Sequence, residues 1–202
     1  MDFLSGGTIL SLFLGIGLAA ASGFRVFLPL FILSLAAKLT GNYIEIDESL
    51  RWVGSWPALI TLGVAMIVEI GAYYVPIIDN MLDTISIPLA GLAGTFAVGA
   101  TLTEMNEVAT WALAIIAGGG TAAAVSTTTA TARAISTTTT GGVGNFIINT
   151  AETVGSLLLS IIAIVLAPLA FIIAIILIFV AIKVWRRVKS RIENIQENNV
   201  PL

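Results

Sequence analysis

From Leu4 to Ala37 the chain is apolar or small at almost every position, yet it carries one arginine mid-stretch, Arg25, just after Ala20-Ala21-Ser22-Gly23. An ionised guanidinium costs roughly 2.5–3.5 kcal/mol at the centre of a membrane helix. Such a residue therefore faces a bundle interior or a wet cavity, and it marks a functional site by default. One straight helix over this stretch would run about 51 Å, against a hydrocarbon layer of roughly 30 Å. The pattern predicts two shorter helices broken near Ser22-Gly23, with Pro29 kinking the second or sitting in its first turn. Either both cross the membrane or they form a re-entrant hairpin.

The 202-residue chain as a whole fits a membrane setting. It is 57% hydrophobic and 10% charged, where soluble domains carry about 25% charged residues. Cysteine and histidine are both absent. That excludes disulfides, thiolate chemistry, imidazole bases and the common zinc sites, and no metal site or cofactor is expected. No cleavable signal peptide is expected either, since Met1-Asp2-Phe3 lacks a basic region and the apolar stretch outruns a signal core.

Further apolar segments follow. A polar loop over 40–56 contains Glu45, Asp47, Glu48 and Arg51, with Trp52 and Trp56 suited to an interfacial belt. Spans are expected over 57–74, ended by Pro76, over 85–103, and from Val108 into Gly118-Gly119-Gly120. Residues 121–140 are dominated by threonine, with Arg133 among them, and Gly141-Gly142 follows. Threonine and glycine are poor helix formers in water, so a broken or re-entrant element is expected there. Its hydroxyls would either coordinate Na⁺ or K⁺ or bond back to their own helix. A last span covers 154–182 and must tilt, protrude or kink at Pro168. The expected fold is an all-α polytopic transmembrane bundle with broken or re-entrant helices. The shared order of small residues, serine and arginine around Arg25 and Arg133 leaves an inverted repeat open. Residues 1–182 are read as the membrane domain and 183–202 as a basic tail. Lys183, Arg186, Arg187, Lys189 and Arg191 place that tail in the cytoplasm by the positive-inside rule. Val184, Val188, Ile192 and Ile195 recur at helical spacing, so the tail either lies on the anionic leaflet or is a solvated flank.

Four charges fall in apolar or small-residue surroundings: Arg25, Glu69, Arg133 and Glu152. They are either structural ion pairs or a site in which the arginines hold an anionic group and Glu69 couples protons or binds a cation. Ser22 and Asn145 flank the two arginine blocks and join the candidate ligands. Asp79 and Asp83 share a face if their segment is helical. They suit either exposed acids on an interfacial helix or a divalent ion with lipid phosphates. Stripes of small residues, Gly7-Ser11-Gly15-Ala19-Gly23 and Gly91-Thr95-Gly99-Thr103, predict close helix packing. Neither serine catalysis nor a Walker-type loop finds support.

Three blocks carry a family likeness: residues 17–30 around Arg25, residues 56–91 with Glu69, Asp79 and Asp83, and residues 118–152 with Arg133, Asn145 and Glu152. Over residues 15–185 the chain resembles an uncharacterised bacterial membrane family, domain of unknown function four-one-two-six. The resemblance implies a multi-pass protein of the bacterial inner membrane. Its expected partner is the lipid bilayer, with an ion or anionic solute as cargo, a homo-oligomer left open, and no nucleic acid. The first functional reading is a small transporter or channel-like protein moving an ion, a small anionic solute or a lipid headgroup through a charge-lined interior. The second is a non-transporting membrane scaffold with structural ion pairs. The third is a lipid-headgroup enzyme using Asp79 and Asp83.

Overall fold

The computed structural model describes residues 6–40 and 44–198, and among these every regular element is helical. Eight α-helices follow in order: α1 (Gly6–Ser22), α2 (Phe27–Thr40), α3 (Trp56–Ala72), α4 (Pro76–Thr101), α5 (Glu107–Leu113), α6 (Gly120–Thr140), α7 (Asn145–Val165) and α8 (Ala167–Asn198). A 3₁₀ helix, Glu48–Gly54, precedes α3 and meets it at 66°. Among the described residues, Met81–Thr101, Glu107–Thr140, Asn145–Val165 and Ala167–Ser190 are each long and apolar enough to cross a membrane. The bent pair at α3 is either a fifth, broken span or a re-entrant loop. These are the apolar helices of a membrane protein.

The expected break between α1 and α2 is present. Helix α1 ends at Ser22 and α2 starts at Phe27, with Pro29 in its first turn, so the two are about 26 and 21 Å long. Three other expectations are corrected. Helix α3 stops at Ala72, short of Pro76, and Pro76 itself opens α4 at a first-turn position where its missing N–H costs nothing. Asp79 and Asp83 consequently belong to α4. Residues 120–140 form one uninterrupted helix instead of a broken or re-entrant element. Their hydroxyls bond back to carbonyls one turn earlier, as Thr127 does to Ala123, Thr128 to Ala124 and Thr131 to Thr127. In apolar surroundings no water competes for those bonds, so the threonines lose their usual reason to leave a helix. The irregularity lies just upstream, where Ala114–Gly119 is a π-helical segment. Finally, the last apolar stretch is two helices. The chain breaks at Leu166, two residues before Pro168. Helix α7 starts nine residues earlier than the expected span and takes in Asn145, Asn149 and Glu152. The Arg25 and Arg133 blocks differ locally, one at a helix break and the other within a continuous helix.

Small residues set the packing. A Cβ on Gly15 would lie 2.9 Å from the Val98 Cα of α4, one on Gly17 would lie 2.7 Å from the Ala170 Cβ of α8, and one on Gly23 would lie 2.7 Å from the Ala122 carbonyl oxygen of α6. Helix α1 is thus the central strut: Gly15 and Gly17 within it, and Gly23 just past its end, admit three neighbours. On α4 the closest approach is off the expected stripe. It is Gly94, facing the Gly118 backbone of the π segment. These contacts also fix direction. Going up α1 from Gly17 to Gly23, α6 passes at Ala122 and Val125, and α8 rises from Ala170 to a groove it shares with Ala124–Thr131. The basic end of α8 therefore emerges on the same side as the C-terminal end of α1. The opposite side carries Glu45, Asp47, Glu48 and Glu104, near the C-terminal end of α4. Trp52 and Trp56 are exposed there. Helix α8 is continuous through residue 183, so the tail is set apart by charge and not by a backbone break. The side chains of Arg191, Ile192 and Ile195 lie outside the described residues.

Candidate functional site

Alternating helices bring their ends together at one level. Helices α1 and α3 arrive with their C-terminal ends, α2, α4 and α7 leave with their N-terminal ends, and α6 passes through late in its course. The charges placed on those ends converge. Arg25 is 0% exposed and Arg133 is 1% exposed, so neither guanidinium reaches solvent or acyl chains. Glu69, Asp79 and Glu152 are buried with them, while Asp83, 18% exposed in its side chain, reaches the surface. Asp83 lies about 27 Å along α4 from Thr101. The cluster therefore sits toward one face of a ~30 Å layer.

Arg133 is the hub. Its Nε donates to Asp83 Oδ1 at 2.6 Å, its Nη2 lies 2.5 Å from the same oxygen, and its Nη1 donates to Glu152. Asp79 Oδ1 is more distant, 3.9 Å from Nε. Arg25 donates through Nε to Thr153 Oγ1 at 3.0 Å and through Nη2 to the Asn149 carbonyl at 2.8 Å. Its Nη1 is 3.4 Å from Glu152 Oε2. Glu152 thus bridges the two arginines. Tyr73, in the turn between α3 and α4, lays its ring 4.0 Å from the Arg25 guanidinium carbon and 4.9 Å from that of Arg133. Burial pushes its phenol above the usual range, so the ring stays neutral and offers both cations its π face.

Glu69 plays a different part. Its Oε1 accepts from the Val26 N–H at 2.7 Å and its Oε2 from the Phe27 N–H at 3.0 Å. A carboxylate from α3 therefore caps the start of α2, where unpaired amides and the helix dipole both favour negative charge. Asp79 and Asp83 are not the exposed acids of an interfacial helix: Asp79 is buried, and both face Arg133. Asn145 donates through Nδ2 to Asp79 Oδ2 and to Thr137 Oγ1, each at 2.9 Å. Ser22 is buried nearby, but its hydroxyl donates to its own helix at Leu18. The structure thus gathers Arg25, Glu69, Arg133, Glu152, Asp79, Asp83 and Asn145, and leaves Ser22 turned away.

Sequence reasoning passed over Tyr73, Asn149 and Thr153 as site residues. Asn149 was legible: with Asn145 and Glu152 it marks one face of α7 at i, i+4 and i+7. Tyr73 and Thr153 carried no comparable signal, because each gains its role from a guanidinium on another helix. Among the described residues no group of three acidic side chains is arranged to hold a metal ion.

The model of the family described as Domain of unknown function (DUF4126) matches residues 12–187. The chain belongs to that family. No curated protein and no solved structure matches the chain.

Proposed function

We propose that this member of the DUF4126 family is a membrane transport protein that carries a small ion or solute through its charge cluster. The observation that carries this reading is the burial of two arginines and three carboxylates together, at the break of α1 and α2, with Asp83 at the surface. Ionised groups are expensive in such a place and mark solute paths more often than scaffolding. Broken helices at a polar site are a recurring transporter device. Both guanidiniums are already met by carboxylates, which speaks against a free anion as cargo. The basic end of α8, with Lys183, Arg186, Arg187 and Lys189, emerges on the cluster's side, and the acidic loops occupy the other. By the positive-inside rule the cluster opens toward the cytoplasm of a cell whose inner membrane holds the protein.

The test is flux into proteoliposomes of purified protein, read with proton-, cation- and anion-sensitive dyes. At least one gradient should dissipate faster than in empty vesicles, and Glu152→Gln should slow it severalfold. Intact, folded protein that moves none of these ions would overturn the reading. It would leave the scaffold alternative, in which the buried ion pairs only hold the helices in register.

A further inference from the structure

The carboxylates of the cluster are not served equally. Asp83 has the Arg133 fork at 2.5–2.6 Å, and Glu152 has both arginines. Glu69 has two helix N-terminal amides. Asp79, 2% exposed, has only a neutral amide on Oδ2, and its Oδ1 has no hydrogen-bond partner. The nearest cation, Arg133 at 3.9 Å, is already committed to two other acids. A buried carboxylate in that condition calls for one more positive charge.

The adjoining side chains present matching chemistry. Asn145 and Asn149 are buried, one turn apart on the same face of α7. Each spends its amide N–H on a named acceptor, Asn145 on Asp79 and Thr137, Asn149 on the Tyr73 carbonyl at 2.6 Å. Each leaves its Oδ1 without a donor. Orphaned buried acceptors are destabilising. Two of these three oxygens belong to the bonded Asp79–Asn145 pair, and the third sits on Asn149, one turn along α7. Glu152 Oε1, also unpartnered, lies one turn further along α7. Among the described residues, the one buried side-chain donor nitrogen without a hydrogen-bond partner is Arg25 Nη1, already 3.4 Å from Glu152.

We propose that Asp79 Oδ1, Asn145 Oδ1 and Asn149 Oδ1 form a binding site for a monovalent alkali cation. Oxygen-only ligands suit a hard cation, and one carboxylate with two amide oxygens balances a single charge. The three oxygens hold one carboxylate between them, which leaves the second charge of a divalent ion unbalanced. The inference rests on the transport reading and names the cargo or coupling ion of that same site.

The experiment is thermal unfolding of the purified full chain in detergent, in NaCl or KCl against choline chloride at equal ionic strength and pH. Na⁺ or K⁺ at a hundredfold excess over its Kd should raise the Tm by roughly 5 °C or more. Asp79→Asn should lose that response and should melt in choline no lower than the original chain, since it removes the uncompensated charge. Equal melting in alkali and choline salts overturns the proposal, as does an Asp79→Asn variant that responds like the original, or stabilisation only by Mg²⁺, Ca²⁺ or low pH. Should Asp79→Asn fail to fold, equilibrium binding of radioactive Na⁺ to the unaltered chain, competed by K⁺, decides. Saturable binding near one ion per chain supports the site and its absence overturns it. Proteoliposome flux separates the two readings. Flux without cation binding removes the site alone, and binding without flux removes transport alone.

Discussion

Arg133 has three carboxylates within 4 Å and shares Glu152 with Arg25. Removing one partner of a buried ion pair leaves an uncompensated charge and costs about 3–5 kcal/mol. Arg133→Met should therefore lower stability by that order in a denaturant titration of the purified protein, with Glu152→Leu added to it recovering part of the loss. If the single substitution costs less than the exposed pair Arg51–Glu48, the cluster is wetter than its burial implies. Glu69 makes the contrasting case, because its carboxylate binds backbone amides and no guanidinium. Glu69→Gln keeps one acceptor oxygen but turns an NH₂ toward the second amide. It should cost about 1–3 kcal/mol, and the α1–α2 junction should gain hydrogen exchange first. That Glu69 is special was legible from its apolar neighbours in sequence. That it caps α2 was not, since the cap closes across more than forty residues.

At the scale of elements, glycines divide into those that admit a neighbour and those that do not. A methyl on Gly94 would meet the Gly118 carbonyl oxygen at 2.5 Å, while one on Gly155 would meet nothing within 4 Å. Gly94→Ala should therefore separate α4 from the π segment and cost about 1–3 kcal/mol. Gly155→Ala should be neutral or stabilise by about 0.5–1 kcal/mol, through helix propensity alone. Melting curves of the two single variants check this, and similar values for both would mean that α4 and the π segment are not in close contact. Helix existence was legible in most of the chain, from apolar runs and from Pro29, but not over residues 120–140 or in the division of the last stretch into two helices. Boundaries failed where polar residues extend a helix beyond its apolar part. Asn145, Asn149 and Glu152 read as a polar exit from the sequence, yet they are the first two turns of α7. The threonine run failed because water-based propensity does not hold where hydroxyls have only their own helix to bond.

For the whole molecule, the order of helices sets a charge asymmetry that can be measured. The chain has no cysteine, so single cysteines report cleanly. In cells, Glu48→Cys and Lys189→Cys should react with a membrane-impermeant maleimide from opposite sides, because Glu48 and Lys189 belong to opposite ends of the bundle. Labelling of both from one side would contradict the path drawn for α8. Composition and apolar periodicity alone determined that this chain is a helical membrane protein with charges kept away from lipid. Those properties follow from local transfer energies, which each residue carries with it. Only the tertiary structure decided which charges meet. Arg25, Glu69, Asp79, Arg133 and Glu152 come from five separate stretches of the chain. Their pairing depends on glycine-permitted distances between helices, and those close-contact terms appear only when the backbones are in place.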